Sequence, residues 1–168
     1  SRSAEALRCF SRVDDLFRRL QHALAGRDVR LMVTADHGFT DSSPERCIDL
    51  PSDGEVAAML AAPLFGERRL AFCRVREGAK CEFEAWAREH LPGKAALVPG
   101  DAFLGSGLLG PGRPHARLAE RVGSHVLLME PGWTIVDHVE GEVAHEMIGV
   151  HGGLSADEML VPLALVRT

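Results

Sequence analysis

The sequence has few of the features that membrane-spanning or nucleic-acid-binding proteins require. No apolar stretch approaches the roughly 20 residues that a helix needs to cross a bilayer, so we expect no membrane span. Lysine is scarce, with Lys80 and Lys94 as the only two among 19 basic residues. The net charge of −5 also argues against binding a nucleic-acid polymer, because proteins that bind phosphate backbones usually carry a basic excess.

Closely paired cysteines are absent as well. The sequence has four cysteines, no two of which form a C-x-x-C pair: Cys9, Cys47, Cys73 and Cys81. Their spacing fits neither a dense disulfide framework nor a zinc knuckle, so we expect reduced thiols with structural roles in a reducing, cytoplasmic compartment. The chain begins at Ser1 rather than at a methionine. We therefore expect a piece of a longer protein, and the lack of a leader carries little weight.

What the sequence does contain is the composition of one ordinary globular domain. Its 168 residues are 46% hydrophobic and 26% charged, which excludes a disordered or fibrous chain. No internal repeat or domain boundary is evident, so we predict a single domain over residues 1–168. A glycine-rich stretch at residues 100–112 lacks the G-x-x-x-x-G-K-[ST] pattern of a phosphate-binding loop, and we interpret it as a flexible connection.

An α/β unit is predicted at the start of the chain. Six apolar residues recur there at steps of three and four: Leu7, Phe10, Val13, Phe17, Leu20 and Leu24. This spacing predicts an amphipathic helix over about residues 4–25, with Gly26 as its stop. The aliphatic run at residues 29–34 then predicts a buried strand, which leads into a polar D-H-G tripeptide.

Further elements are predicted along the rest of the chain. In order they are a short helix opened by a capping box at Ser52 and Glu55, a strand at 69–75, a helix at 83–91, a strand at 95–98, a helix at 113–122, and a hairpin of strands 125–129 and 133–137. A second capping box, Ser155 with Glu158, predicts one helical turn, and residues 163–166 predict a closing strand. This alternation of helices and strands predicts the α/β class.

Two short segments carry the residues best suited to chemistry. Asp36 and His37 follow the first predicted strand, where ligand sites in open α/β sheets lie, and a carboxylate beside an imidazole suits zinc, manganese or iron. His151 precedes two glycines and the N-terminus of a predicted short helix, an electropositive position that favours anions. Taken separately, the segments are not specific, since an aspartate that caps a turn and a surface histidine would give the same pattern.

The two segments together resemble the alkaline phosphatase superfamily. Residues 34–39 (T-A-D-H-G-F) are similar to its T-x-D-H-G segment, and residues 149–155 (G-V-H-G-G-L-S) are similar to its late H-G segment. The 114 residues from His37 to His151 are compatible with the nucleotide pyrophosphatase and type I phosphodiesterase branch of that superfamily. The run E-M-L-V-P-L at residues 158–163 also resembles bacterial members.

That resemblance implies an alkaline-phosphatase-like α/β fold, in which helices flank a central sheet, and a hydrolase of phosphate esters. It implies two divalent metal ions, zinc or alternatively manganese, that flank the substrate phosphate. Asp36 and His37 would bind the metal beside the nucleophile, and His151 would bind the other. The implied partner is a small phosphate ester, with a nucleotide among the candidates, rather than a nucleic-acid polymer or a membrane.

The upstream part of the superfamily pattern has no counterpart here. The superfamily places an aspartate, a threonine or serine nucleophile and a D-x-x-x-H pair before its D-H-G segment, and none of them matches this sequence. The resemblance therefore implies that residues 1–168 are the C-terminal portion of a larger metallo-phosphoesterase domain, incomplete at its N-terminal side and inactive alone. Missing strands would expose apolar edges, so we expect the isolated chain to self-associate.

Other residues and functions are alternatives. His138, His145 and His151 are spaced seven and six apart, which permits a separate three-histidine metal site, and His145 is also a candidate for contact with a ligand residue or the substrate. Asp14 and Asp15 fit a solvated helix face better than a catalytic site. The alternative functions are a non-catalytic α/β binding or assembly module, a phosphatase, a sulfatase and a phosphoglycerate mutase.

Overall fold

Helices and strands alternate along the chain in the computed structural model, which describes residues 3–139, 141–143 and 146–167. The α-helices are α1 (Ala4–Leu24), α2 (Glu55–Met59), α3 (Lys80–His90), α4 (Gly100–Gly105), α5 (Leu118–Val122) and α6 (Ala156–Met159). The strands are β1 (Arg30–Thr34), β2 (Thr40–Asp41), β3 (Cys47–Leu50), β4 (Phe65–Glu67), β5 (Leu70–Cys73), β6 (Ala95–Pro99), β7 (His125–Met129), β8 (Thr134–Asp137), β9 (Gly149–Val150) and β10 (Leu163–Arg167). Short 3-10 turns lie at Pro44–Arg46 and Glu77–Ala79. The predicted α/β class is confirmed.

Strand pairing in the described part of the chain is divided among four sheets. β4, β5, β7 and β6 form, in that order, a four-stranded antiparallel sheet. β1 pairs with β10 and β2 pairs with β9, both antiparallel, whereas β3 and β8 are parallel. The β1–β10 and β2–β9 ribbons lead to the two segments that carry the candidate site.

The main hydrophobic core lies between the four-stranded sheet and helices α2 and α3. Phe83 of α3 and Leu127 of β7 are fully buried there, and Met59 of α2 packs into the same cluster. Burying side chains of this size contributes about 1.5–3 kcal/mol each. A smaller cluster joins Phe103 of α4 and Val122 of α5 to the sheet. The best-packed part of the chain is therefore this sheet with its four short helices.

α1 and the β1–β10 ribbon instead carry exposed apolar side chains. α1 forms as predicted, with the Ser3 hydroxyl accepting a hydrogen bond from the Ala6 N–H, yet none of its residues is buried. Phe10 of α1 is 72% exposed and Met32 of β1 is 62% exposed. The prediction of a buried strand over residues 29–34 is therefore wrong, because no element among the described residues covers the faces of this ribbon.

The predicted hairpin around Pro131 and Gly132 does not form. The turn itself is present, with the Trp133 N–H donating to the Glu130 carbonyl oxygen at 2.9 Å. However, β7 pairs with β5 and β6, while β8 pairs with β3. The Pro-Gly pair specifies a tight turn, but residues far away in the sequence decide which strands then pair.

Three shorter predictions also differ from the structure. The stretch 100–112 begins with a helix, α4, rather than as a loop, and the helix expected over 113–122 is limited to α5. Gly54 is the N-cap of α2, where no side chain caps the helix, so the capping box of Ser52 and Glu55 does not form.

No helix among the described residues combines the length and the hydropathy that a bilayer span requires.

The four cysteines are all free in this structure. Cys73 of β5 is fully buried, whereas Cys9 and Cys81 are exposed. Burial, assisted by the nearby Asp137 carboxylate, raises the pKa of the Cys73 thiol to about 12. Cys73 therefore stays protonated and serves as a small core residue.

Candidate active site

Asp36 and His37 lie on the loop that follows β1. The strand ends at Thr34, which places both side chains just beyond its carboxyl end. Asp36 is well exposed, and its Oδ1 accepts a hydrogen bond of 3.0 Å from the His37 backbone N–H. Asp36 Oδ2 lies 3.8 Å from His37 Nε2. The carboxylate therefore faces the edge of the imidazole and remains open to solvent.

The loop itself selects one tautomer of His37. Its Nδ1 lies 2.8 Å from the Gly38 carbonyl oxygen, and a carbonyl can only accept a hydrogen bond. Nδ1 therefore carries the hydrogen, and in the neutral ring the lone pair is on Nε2, the atom that faces Asp36. Histidine metal ligands commonly have this arrangement, in which the second ring nitrogen donates to a carbonyl and fixes the ring.

His151 reaches the same place from the far end of the sequence. It directly follows β9, whose pairing with β2 sets Val150 opposite Thr40. The rings of His151 and His37 stack with their centroids 3.8 Å apart and their planes inclined by 17°. Phe39 makes a T-shaped contact with each ring, at centroid distances of 4.9 Å to His37 and 5.5 Å to His151. The aromatic cluster of these three side chains thus joins the two loops.

The structure therefore brings together Asp36, His37 and His151, the three side chains that the sequence singles out. Within residues 3–139, 141–143 and 146–167, no three histidine, cysteine or acidic residues are grouped to hold a single ion. The arrangement is a carboxylate–imidazole doublet with a separate imidazole stacked beside it. Carboxylate oxygen and imidazole nitrogen are ordinary ligands of zinc and also suit manganese.

His145 lies outside the described residues, so its contact with a ligand residue or the substrate stays a prediction, as does the three-histidine alternative. His138 is paired with Asp49, whose Oδ1 lies 2.5 Å from His138 Nε2. Both side chains line an open cleft of about 650 Å³ between β3, β4 and β8.

The cleft borders the loop that carries His151. Glu67 of β4 lines the cleft, and a Cβ placed on Gly152 would overlap the Glu67 side chain. Gly152 also has a φ of +101°, a conformation that other residues rarely adopt. The glycine after His151 is therefore required both by the backbone and by the close approach of β4.

A buried ion pair between Arg69 and Glu158, which the sequence did not predict, lies behind the two loops. Each side chain is 1% exposed. Arg69 Nε and Nη2 donate to Glu158 Oε1 and Oε2, both at 2.9 Å. The carboxylate also accepts hydrogen bonds from the Gly153 N–H at 2.8 Å and the Ser155 hydroxyl at 2.6 Å. Burial raises the pKa of the Glu158 carboxyl, but the bonds from Arg69, Ser155 and Gly153 outweigh it and lower the pKa to about 2.

The only sequence signal near this pair was the capping box of Ser155 and Glu158. Ser155 is indeed the N-cap of α6, but its side chain does not cap the helix. Its hydroxyl bonds to the Glu158 side chain instead. Glu158 is turned inward because Arg69 supplies a buried countercharge, and a partner 89 residues away leaves no periodic signal in the sequence.

Known proteins share this arrangement of elements. The family model of type I phosphodiesterase / nucleotide pyrophosphatase matches residues 2–154. Human ectonucleotide pyrophosphatase / phosphodiesterase 5 is similar in structure, with a TM-score of 0.71 and 21% identity over 98% of this chain and 41% of that chain. Its murine counterpart, solved as an inactive variant in complex with AMP, has a TM-score of 0.59 and 24% identity over 89% of this chain and 37% of that chain.

A bacterial enzyme shares the fold as well. Phosphonoacetate hydrolase from Sinorhizobium meliloti, in complex with phosphonoformate, has a TM-score of 0.62 and 19% identity over 90% of this chain and 39% of that chain. These likenesses confirm the expected alkaline-phosphatase-like fold, and this chain spans about two fifths of the length of each structural relative. A comparison with curated protein sequences finds no significant match.

Proposed function

The chain belongs to the type I phosphodiesterase / nucleotide pyrophosphatase family, and from that premise we propose that it forms the C-terminal portion of a metal-dependent hydrolase of phosphate esters. In this proposal Asp36 and His37 hold one divalent metal ion and His151 holds a second. The ions are zinc, with manganese as the alternative. The observation that carries the proposal is the stacking of His37 on His151, which sets the doublet and the single imidazole side by side.

The chemistry of the three donors supports this assignment. The lone pair of neutral His37 is on Nε2, because Nδ1 donates to the Gly38 carbonyl, and Asp36 Oδ2 lies beside it. His151 adds a second nitrogen donor within the same aromatic cluster. Bound divalent ions would supply neutralisation of the charge on the phosphoryl oxygens and a lowered pKa for an attacking oxygen.

In this proposal the residues of the chain position the metal ligands and leave room for the substrate beside them. The loop hydrogen bonds fix Asp36 and His37 before a ligand arrives, so less reorganisation is needed on binding. Phe39 restrains both imidazoles from one side. Glu67 lines the cleft and also packs against Gly152, so the cleft lies next to the loop of His151. In this proposal the cleft has room for the group esterified to the phosphate.

The attacking group, in this proposal, belongs to a part of the family domain that this chain does not span. The chain covers 41% of the human relative, and the threonine or serine segment of the superfamily pattern has no match in it. We therefore expect the chain alone to be catalytically inactive. The exposed apolar side chains of α1 and the β1–β10 ribbon are the surfaces that we expect the remaining part of the domain to cover.

The proposed substrate is a small phosphate ester. The AMP in the murine relative favours a nucleotide, and the net charge of −5 disfavours a nucleic-acid polymer. The unpaired cysteines favour a cytoplasmic location, which stays a prediction.

Metal binding is the direct test of the three ligands. Isothermal titration of the 168-residue chain with Zn²⁺ and with Mn²⁺ should detect binding that Asp36→Ala and His151→Ala each weaken. His90→Ala is the matched control, because His90 is exposed on α3 and stacks on Trp86 rather than on the site. Unchanged titrations for Asp36→Ala and His151→Ala would remove these residues from the metal site.

Hydrolysis is tested after the chain is joined to the upstream part of its domain. The joined protein should hydrolyse bis(p-nitrophenyl) phosphate, and Asp36→Ala or His151→Ala should abolish turnover without unfolding it. A folded, metal-loaded protein that hydrolyses no phosphate ester would overturn the hydrolase proposal and favour a non-catalytic binding module. Preferential turnover of sulfate or phosphate monoesters would instead favour a sulfatase or a phosphatase.

A further inference from the structure

We propose that Arg69 and Glu158 form a positioning pair that holds the two loops of the candidate site in the orientation that stacks His37 on His151. This inference rests on the proposed function, in which those histidines bind neighbouring metal ions. The pair acts through the loops and is not itself assigned a contact with the substrate or the reacting atoms.

Glu158 bonds to both loops at once. Its backbone carbonyl accepts a hydrogen bond of 2.8 Å from the N–H of Gly38, the residue after His37. Its carboxylate accepts one of 2.8 Å from the N–H of Gly153, two residues after His151. A single residue of α6 therefore connects the loop after β1 to the loop after β9.

Two glycines allow this close approach. A Cβ placed on Gly38 would overlap the Asp157 carbonyl oxygen. A Cβ placed on Gly153 would lie 2.7 and 2.8 Å from the two carboxylate oxygens of Glu158, and 3.0 Å from Arg69 Nη2. Both loops are thus packed directly against the pair and its helix, so a displacement of the pair is transmitted to them.

Arg69 connects Glu158 to the four-stranded sheet. It immediately precedes β5, and its Nη1 donates to the carbonyl oxygens of Glu130 at 2.7 Å and Trp133 at 2.5 Å. Those two carbonyls flank the turn between β7 and β8. Because Nε and Nη2 are bonded to Glu158, the guanidinium bridges the four-stranded sheet to α6.

Geometry, more than charge attraction, is what such a pair contributes. The loss of hydration on burying two charges largely offsets their attraction. A bidentate guanidinium–carboxylate contact, in contrast, fixes both the distance and the angle between its partners. Lysine at position 69 would keep the charge but lose the two parallel bonds, so Arg69→Lys separates positioning from charge.

The test compares Arg69→Lys with Arg18→Lys in the 168-residue chain. Arg18 is the matched control, because it bonds to Asp14 on the exposed face of α1. Two quantities are measured at one pH: the affinity for Zn²⁺ by isothermal titration, and the cross-relaxation between the His37 and His151 ring protons by NMR without metal. Circular dichroism checks that each variant is folded.

We expect Arg69→Lys to lose the His37–His151 cross-peaks and to weaken Zn²⁺ binding about 10- to 100-fold, the usual effect of removing a partner that orients a ligand. Arg18→Lys should change neither quantity. Wild-type cross-peaks in folded Arg69→Lys would overturn the inference. If the wild-type chain binds no Zn²⁺, the proposed function fails, but the cross-peaks still decide whether the pair positions the histidines.

A milder variant covers the case in which Arg69→Lys does not fold. Ser155→Ala removes one hydrogen bond to Glu158 Oε2 and leaves the ion pair itself in place. We expect it to weaken the same cross-peaks by a smaller amount while the chain stays folded. The Ser155 hydroxyl helps to orient the Glu158 carboxylate that the Gly153 N–H contacts. Cross-peaks of wild-type intensity in folded Ser155→Ala would therefore show that the orientation of this carboxylate does not set the stacking of the histidines, and would overturn the inference.

Discussion

The imidazole of His37 stacks on that of His151, with 3.8 Å between the ring centroids, although 114 residues of sequence separate them. The lone pair of an imidazole nitrogen lies in the plane of its ring. Two rings in nearly parallel planes therefore direct their lone pairs past each other rather than toward one point between them. The geometry therefore fits the proposal of one ion for each ring better than a single shared ion, and the contact can be tested directly by substitution.

Replacing His151 by phenylalanine separates stacking from metal binding. His151→Phe keeps an aromatic ring against His37 and Phe39 but removes the nitrogen donor, so the fold should persist while Zn²⁺ binding falls. The thermal midpoint and the zinc content of the purified chain are the two measurements. Phe39→Leu serves as the control, because it removes a ring neighbour and leaves every donor in place. A zinc content equal to wild type in His151→Phe would contradict the assignment.

Acid should weaken the fold through Glu158. Its pKa in the folded chain is about 2, below the ordinary value of 4.5, so its ionised form is the one that the fold stabilises. This contribution, about 3 kcal/mol, is complete above pH 4.5 and is lost as the pH falls toward 2. Urea unfolding at a series of pH values measures it.

Glu158→Gln supplies the reference for that measurement. The variant leaves Arg69 without its countercharge, and we expect a loss of about 3–5 kcal/mol at neutral pH. The stability difference between wild type and variant should shrink as the pH falls below 4.5, because only the wild type loses the ionised carboxylate there. A difference that stays constant from pH 6 to pH 3 would show that the pair does not hold the carboxyl in its ionised form.

Gly38→Ala should disturb the site by steric overlap. The added Cβ would meet the Asp157 carbonyl oxygen, so the loop must move away from α6 and the hydrogen bond from the Gly38 N–H to Glu158 must weaken. Overpacking of this kind costs about 1–3 kcal/mol. Gly78→Ala is the control, because a Cβ there has no neighbour within 4 Å. Equal unfolding free energies for the two variants would contradict the close packing of loop and helix.

The exposed apolar side chains of α1 and the β1–β10 ribbon should make the isolated chain self-associate. Phe10 is 72% exposed and Leu165 is 64% exposed. Sedimentation velocity over a range of concentrations should show association that Phe10→Glu and Leu165→Glu each reduce. Leu108→Glu, which changes an exposed apolar residue after α4, should not reduce it. Monomers at every concentration would contradict this expectation.

Thiol reactivity should distinguish Cys73 from the exposed cysteines. Burial and the Asp137 carboxylate raise the pKa of Cys73 to about 12, so almost no thiolate is present at pH 8. Ellman's reagent should modify Cys9 and Cys81 within minutes and Cys73 only after urea is added. Mass spectrometry of the labelled peptides assigns each site. Rapid modification of Cys73 in the folded chain would contradict its placement in the core.

Local patterns predicted α1, β1, α6 and β10, but not the short strands β2 and β9 that precede or follow the site residues. The six-residue apolar stripe predicted α1, and the D-H-G and H-G-G segments placed Asp36, His37 and His151 beside predicted strand and helix ends. Each of these inferences depends on neighbours within a few residues. The stacking of His37 on His151 lies beyond such patterns, because it requires the pairing of β2 with β9.

Long-range contacts explain what the sequence did not reveal. Arg69 precedes an ordinary strand, and nothing near it in the sequence indicates that Glu158 will cover it. The turn at Pro131 and Gly132 was correctly predicted, but the strands on either side belong to different sheets. The apolar run of β1 predicted a buried strand, but the strand is largely exposed. An apolar pattern indicates that a strand packs against a partner, but it does not show whether that partner lies in the same chain.

The pairing of β1 with β10 also bears on the order in which this protein assembles during translation. β1 is synthesised before its partner, because Leu163 and Leu165, which lie opposite Thr34 and Met32, are made more than a hundred residues later. The nascent chain must therefore carry the apolar strand β1 without its partner β10 while the intervening residues are made. Only after α6 and β10 emerge can the loop of Asp36 and His37 acquire its final support.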